Sequence, residues 1–171
     1  MRTTFALTVT LALAIACAPL LGQEDAGIRN ATSPAPGVLF GGQPTAEQLE
    51  KLAAADYKTV IDLRGPEEDR GYDEAAAAEA AGLEYIAVPI TGETIEDAKT
   101  LDEFIRIFRE TEKPVLVHCG SGARVGAVYY AWLVAEEKMS REEALARAKE
   151  QGLRGETYLA PIDSYLDQKS E

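Results

Sequence analysis

Histidine and cysteine are scarce in this chain. Its 171 residues include one histidine, His118, and two cysteines, Cys17 and Cys119. A structural zinc site needs about four ligands of these types at characteristic spacings, so a site of that kind is excluded, and we expect no metal and no cofactor. If the N-terminal segment with Cys17 is removed, Cys119 is the only thiol left and no intramolecular disulfide can form.

Positive charge is also in short supply. There are 17 Lys and Arg against 29 Asp and Glu, which gives a formal net charge of −12. Nucleic-acid binding depends on basic surface that neutralises phosphates, so we expect no nucleic-acid partner. An anionic ligand could be attracted only by positive potential that its own binding site supplies.

The sequence also lacks an apolar run long enough to span a bilayer. The stretch from residue 5 to 16 has 12 residues, whereas a transmembrane helix needs about 20. Arg2 precedes this stretch and small residues follow it through Gly22, which is typical of a secretory signal peptide. We therefore predict a signal peptide over residues 1–22 and export to the periplasm or the medium. The residues before Cys17 also resemble a bacterial lipoprotein signal, and a lipid on Cys17 would tether the protein to a membrane.

The rest of the chain divides into a predicted linker and one domain. Residues 23–36 lack apolar periodicity and end in Pro34 and Pro36, which favours a linker. From residue 37 to 171, strand and helix patterns alternate. Strands are predicted at 38–40, 58–63, 84–90 and 114–118, and helices at 45–55, 73–81, 95–110, 124–137 and 140–151. This order predicts a three-layer α/β fold, with a mostly parallel central sheet of four to five strands and helices on both faces.

The segment His-Cys-Gly-Ser-Gly-Ala-Arg-Val-Gly, residues 118–126, carries the chemistry. It lies between a predicted buried strand and a predicted helix. Because Gly120 and Gly122 have no Cβ, the backbone amides of this loop can point inward and form an anion-binding nest. The nest and the positive end of the following helix would stabilise the thiolate of Cys119, which makes it a candidate nucleophile.

Arg124 lies on the first turn of that helix and can hold a tetrahedral oxyanion through two hydrogen bonds. His118 can orient the backbone next to the thiol, although a histidine at a strand end can also be an ordinary core residue. The glycines could instead bind a dinucleotide, but that fold requires a further strand and only helices are predicted after residue 137. Six residues are predicted to bind the substrate: His118, Gly120, Ser121, Gly122, Ala123 and Arg124.

The His-Cys pair, the glycine loop and Arg124 resemble the signature of the protein tyrosine and dual-specificity phosphatases. The resemblance covers most of residues 37–160. Together with segments 41–44, 59–64 and 83–89, it looks most like the phosphatase-like domain of beta-lactamase-hydrolase-like proteins. It implies hydrolysis of a phosphorylated protein or a small phosphoester, and we expect the protein to be a monomer. It also implies that Cys119 attacks phosphorus while Arg124 and the loop amides hold the oxygens.

A phosphatase of this kind also needs a proton donor for the leaving group. The predicted loop after residue 90 offers Glu93, Glu96 and Asp97, and we favour Asp97. Each of them could instead be an acidic residue at a helix start, where the helix dipole stabilises it. Charged residues follow Val60 and Ile61 of the strand predicted at 58–63. These residues, Asp62, Arg64, Glu67 and Glu68, favour an ion pair that braces the loop rather than a catalytic role.

Two features depart from that signature. Typical members have five residues between the cysteine and the arginine, and this chain has four, residues 120–123. They also carry a hydroxyl residue after the arginine, where this chain has Val125, which puts breakdown of the phosphocysteine in doubt. The shorter spacing resembles rhodanese-like sulfurtransferases, in which the cysteine carries a persulfide. A non-catalytic module that binds anions or phospho-ligands is the third alternative.

Overall fold

The computed structural model describes residues 25–170, which form five strands, six α-helices and one short 3-10 helix. The strands are β1 Thr32–Ala35, β2 Val38–Gly41, β3 Thr59–Asp62, β4 Glu84–Ala87 and β5 Val115–His118. The helices are α1 Ala46–Ala54, α2 Glu74–Ala80, α3 Ala98–Glu110, α4 Ala123–Ala135, α5 Arg141–Glu150 and α6 Leu159–Gln168, and the 3-10 turn is Thr94–Glu96. No helix within the described residues is long and apolar enough to cross a membrane. The predicted signal peptide over 1–22 lies outside the described residues.

The strands form one mixed sheet in the order β1-β2-β5-β3-β4. The β2, β5, β3 and β4 strands are parallel, and β1 pairs with β2 in the antiparallel sense. The predicted fold class is therefore confirmed. In this register His118 at the end of β5 lies between Gly41 of β2 and Asp62 of β3. The residues after His118 thus emerge at the carboxyl edge of a parallel sheet, where α/β proteins bind ligands.

Side chains alternate between the two faces of the central strand, because successive residues of a strand point in opposite directions. Val115 and Val117 belong to the larger apolar cluster, which includes side chains of α3, α4, α5 and α6. Leu116 belongs to the smaller cluster with side chains of α1 and α2. Both faces of the sheet are therefore covered by helices. Since α4 packs against the sheet, α5 and α6, the position of its first turn is fixed by the core.

The structure differs from the linker predicted over residues 23–36. Residues 32–35 form β1, and the Ile28 side chain is buried. The strand has no regular apolar alternation, and it contains Pro34, which cannot donate a ladder hydrogen bond but is tolerated in an edge strand. The described part of this segment therefore belongs to the folded unit, which the proline-based reasoning missed.

Candidate active site

Cys119 lies directly after β5, at the start of the predicted loop. Its side chain is buried, and the backbone N–H of Gly122 donates a hydrogen bond to its Sγ atom over 3.1 Å. Gly122 has φ of +93°, a left-handed conformation that residues with a Cβ rarely adopt. The helix α4 begins at the next residue. The sulfur therefore faces an inward-pointing amide near a helix N-terminus, as the sequence predicts.

The guanidinium of Arg124 is held by the carboxylate of Glu68, a contact that the sequence does not predict. Its Nη1 and Nη2 donate to the two carboxylate oxygens of Glu68 at 2.6 and 2.5 Å. Its Nη1 also lies within hydrogen-bonding distance of the carbonyl oxygens of Leu63 at 3.3 Å and Ile90 at 3.1 Å. The sequence groups Glu68 with the predicted ion pair of Asp62 and Arg64, whereas the structure places its carboxylate against Arg124. The Glu68 carboxylate also accepts from the backbone N–H of Gly65 over 2.8 Å, which holds it within the turn after β3.

The Arg124–Glu68 pair fixes the charge of both groups. The hydrogen bond from Arg124 is the largest influence on Glu68 and, although partial burial opposes it, the pKa of that carboxyl is lowered. The pKa of Arg124 is raised, first by Glu68 and further by Cys119, against the effect of burial. Glu68 is therefore ionised at neutral pH and is a poor proton donor for a leaving group.

His118 belongs to a buried cluster of ionisable side chains next to the nucleophile. Its Nε2 lies 2.7 Å from Oε1 of Glu74. Arg64 donates Nε and Nη2 to the carboxylate of Asp62, both at 2.9 Å, and also contacts Glu74. All four side chains are buried. The predicted ion pair of Asp62 and Arg64 is thus present, and His118 lies against the same group.

Asp62 has the most perturbed carboxyl of this cluster. Burial would raise its pKa, but the hydrogen bonds from Arg64, the nearby His118 and the hydroxyl of Tyr85 together lower it to about 2. The Tyr85 hydroxyl donates to Asp62 over 2.7 Å, and burial together with that bond raises the pKa of Tyr85 to about 12. The Asp62 carboxyl is thus ionised and the Tyr85 hydroxyl protonated near neutral pH.

Asp62, Glu74 and His118 lie close enough together to hold a metal ion. The guanidinium of Arg64, however, already bonds to both carboxylates. A cation would have to displace this arginine from a fully buried position and leave its charge uncompensated, which is costly. We interpret the cluster as a structural ion-pair network.

Asp97, the favoured proton donor, caps a helix in this structure. Its side chain accepts a hydrogen bond from the backbone N–H of Lys99 over 3.0 Å at the start of α3, and it is exposed. Glu93 and Glu96 are also exposed on the same loop. This is the helix-start role that the sequence left open, and a role for Asp97 in proton transfer stays a prediction.

Two residues of the predicted linker touch the loop. Arg29 donates Nη2 to the carbonyl oxygen of Gly120 at 2.5 Å, and Asn30 donates Nδ2 to the carbonyl oxygen of Ser121 at 2.8 Å. Both side chains are exposed polar groups in a proline-flanked segment. No sequence pattern distinguished them from ordinary surface residues.

The sheet order and the cysteine loop at its carboxyl edge define an α/β protein of the cysteine-phosphatase type. The family model described as "DSP-PTPase phosphatase fused to NAD+ Kinase" matches residues 23–160, and the chain belongs to this family. The predicted resemblance is confirmed.

Individual relatives agree with this assignment. A "Beta-lactamase hydrolase-like protein" of Xylella fastidiosa is 39% identical over 111 residues, which are 63% of this chain and 26% of that protein. The chain thus spans about a quarter of the length of such curated relatives. The crystal structure of Tk-PTP in the active form is 26% identical, with a TM-score of 0.68 over 81% of this chain and 97% of that one. TpbA of P. aeruginosa, solved in complex with pTyr, shares the fold at 20% identity, with a TM-score of 0.64 over 84% of this chain and 85% of that one.

Proposed function

We propose that this protein is a cysteine-dependent phosphatase that hydrolyses phosphomonoesters through a phosphocysteine intermediate. The observation that carries the proposal is the arrangement at Cys119, whose buried sulfur accepts an N–H bond from Gly122 within a loop that ends at Arg124. An amide aimed at sulfur stabilises a thiolate and, once phosphorus is attacked, can donate to a phosphoryl oxygen. Family membership and the phosphatase neighbours support the same class.

Arg124 retains one bonding edge for the substrate. The guanidinium has five N–H donors, and the bonds to Glu68, Leu63 and Ile90 use Nη1 and one side of Nη2. Among the described residues, none accepts from Nε. Since Nε and Nη2 form a second parallel pair of donors, Arg124 can bind two phosphoryl oxygens while Glu68 holds its other edge.

The proposed reaction has two steps. In the first, the Cys119 thiolate forms an S–P bond as the P–O bond of the ester breaks, and the leaving alkoxide or phenoxide takes a proton from a carboxylic acid, for which Asp97 is our candidate. In the second, water attacks phosphorus, the S–P bond breaks and inorganic phosphate leaves. Val125 is fully buried and has no hydroxyl to assist this step, so we expect the phosphocysteine to accumulate.

The proposed substrates are phosphorylated proteins or small phosphoesters. TpbA, which shares the fold, was solved with pTyr, which supports an aryl phosphate as the first substrate to try. We further propose that the chain acts after export, in the periplasm or outside the cell. Export is inferred from the predicted signal peptide, and a lipid on Cys17 would tether the protein to a membrane. That the protein is a monomer stays a prediction.

The test is hydrolysis of an aryl phosphate under reducing conditions by wild type, Cys119→Ser and Arg124→Ala. Arg106→Ala serves as the matched control, since Arg106 pairs within residues 25–170 only with Glu110, on an exposed helix face. We expect turnover in wild type and control, loss in both site variants, and a burst of phenol close to one equivalent per protein. Turnover that survives Cys119→Ser would reject the phosphocysteine route.

A second candidate function has one observation in its favour. The four residues between Cys119 and Arg124 match the spacing of rhodanese-like sulfurtransferases rather than that of typical tyrosine phosphatases. Incubation with thiosulfate would then add one sulfur atom, about 32 Da, to Cys119 and release sulfite. Mass spectrometry of the wild-type protein distinguishes this outcome from phosphate transfer. If neither reaction occurs, a binding role remains.

A further inference from the structure

The segment that precedes β1 contacts the loop after Cys119, which we call the nucleophile loop. Arg29 bonds to the Gly120 carbonyl and Asn30 to the Ser121 carbonyl; we call these two residues the N-terminal clamp. The main chain of the clamp is itself anchored, because the Gly42 N–H donates to the Arg29 carbonyl over 2.8 Å. The clamp is thus tied both to the end of β2 and to the loop.

The two carbonyls that the clamp holds determine where the loop amides point. In a trans peptide the C=O of one residue and the N–H of the next lie in one plane and point in opposite directions. Fixing the Gly120 carbonyl outward therefore turns the Ser121 N–H inward, and fixing the Ser121 carbonyl outward does the same for Gly122. The Gly122 N–H does point inward, since it donates to Cys119 Sγ over 3.1 Å.

Two glycines at the end of β2, Gly41 and Gly42, allow the N-terminal segment and the nucleophile loop to pack closely against the backbone. A Cβ on Gly41 would lie 2.5 Å from Cγ2 of Ile28, and one on Gly42 would lie 3.2 Å from the carbonyl oxygens of both Arg29 and Gly120. Asn30 has a positive φ of 55°, which asparagine tolerates better than most residues. The two glycines thus admit the clamp, and Asn30 suits both its backbone conformation and its bond.

We propose that Arg29 and Asn30 are positioning residues that keep the nucleophile loop in its anion-binding conformation. Neither touches the reacting atoms; each acts by holding a carbonyl whose partner amide faces the site. The part of the inference that concerns catalysis rests on the proposed phosphatase function. The part that concerns the conformation of the loop does not.

The test compares the full chain with the double variant Arg29→Ala/Asn30→Gly. Glycine at position 30 removes the amide donor and keeps the positive φ accessible, so the backbone is not strained. The first readout is hydrogen exchange of the loop amides. The second is the concentration of inorganic phosphate that half-protects Cys119 from iodoacetamide, read on the peptide that contains it. Arg29→Lys, which keeps the charge and a donor, tests rescue, and Arg106→Ala is the surface control.

In the double variant we expect exchange at Gly122 to rise at least about tenfold and half-protection to need about tenfold more phosphate. That factor corresponds to about 1.4 kcal/mol, roughly one hydrogen bond. The interior of α4 should exchange as in wild type, and Arg29→Lys should recover part of the protection. Unchanged exchange at Gly122 overturns the proposal. If exchange rises but the wild type hydrolyses no phosphoester, the clamp stands and the phosphatase function fails.

Discussion

Glu68 and Arg124 form a bidentate ion pair, in which the two carboxylate oxygens lie 2.6 and 2.5 Å from Nη1 and Nη2. Glu68 belongs to the turn after β3, whereas Arg124 lies on the first turn of α4. The pair therefore connects the turn after β3 to the first turn of α4 at the carboxyl edge of the sheet. Since this contact leaves the Nε edge of Arg124 without a partner among the described residues, Glu68 would act on the proposed reaction through the orientation of that arginine.

Replacing Glu68 should weaken oxyanion binding without removing the nucleophile. In Glu68→Gln, one charge-assisted bond to Arg124 is lost and the arginine can adopt other rotamers. We expect kcat/KM for an aryl phosphate to fall about tenfold, with the larger effect on KM, and a further loss in Glu68→Ala. The neighbouring Glu67 is exposed, so Glu67→Gln is the matched control. Equal kinetics for Glu68→Gln and Glu67→Gln would show that the ion pair has no role in the reaction.

Two substitutions of Asp97 distinguish its role as the N-cap of α3 from its proposed role as the proton donor. Asparagine can still accept the Lys99 N–H bond, whereas alanine cannot. If Asp97 donates the proton, Asp97→Asn keeps its stability and loses about 100-fold or more in turnover of a substrate with a poor leaving group. If Asp97 is only a cap, Asp97→Asn is unchanged and Asp97→Ala loses about 1 kcal/mol of unfolding free energy. We expect the first result, and urea unfolding beside steady-state kinetics decides between them.

Much of this architecture could be predicted from the sequence because its signals are local. The apolar strand before His118, the glycines after Cys119 and the helix pattern beyond Arg124 are contiguous, so one segment indicated both the fold and the site. Contacts between distant segments carried no such signal. Arg29 and Glu68 are ordinary charged residues in sequence, and only the crossing of strands brings them to residues 120–124. Asp97 shows the converse, because one carboxylate can serve as a cap or as an acid and sequence position does not distinguish the two.

The buried Asp62 predicts how stability depends on pH. Its pKa is about 2 in the folded protein against a reference of 3.8. A lowered carboxyl pKa stabilises the fold above the unfolded value, and this contribution is lost as pH falls from about 4 to about 2; a shift of about two units corresponds to roughly 2–3 kcal/mol. Asp62→Asn mimics the protonated acid, so its deficit in unfolding free energy should be largest near neutral pH and shrink by about 2 kcal/mol in acid.

Denaturant unfolding of wild type and Asp62→Asn at several pH values measures that difference. Asp56→Asn provides the control, since Asp56 is exposed and asparagine tolerates its positive φ of 64°. A deficit for Asp62→Asn that stays constant from neutral pH into acid would contradict the coupling of Asp62 to Arg64.

Gly126 makes the sharpest prediction about packing. A Cβ at this position would lie 2.3 Å from the backbone nitrogen of Leu153 and 2.7 Å from its Cα, and backbone atoms cannot move aside as a side chain can. Gly126→Ala must therefore push α4 away from the segment after α5, and we expect a loss of about 2–3 kcal/mol in unfolding free energy. A Cβ on Gly92 meets nothing within 4 Å, so Gly92→Ala should stay within about 0.5 kcal/mol of wild type. The substitution should also disturb the nucleophile loop. Gly152, next to Leu153, packs so closely against this loop that a Cβ on Gly152 would lie 3.3 Å from the carbonyl oxygen of Gly122. Unfolding of Gly126→Ala at the same denaturant concentration as Gly92→Ala would contradict the close approach of α4 to the backbone of Leu153.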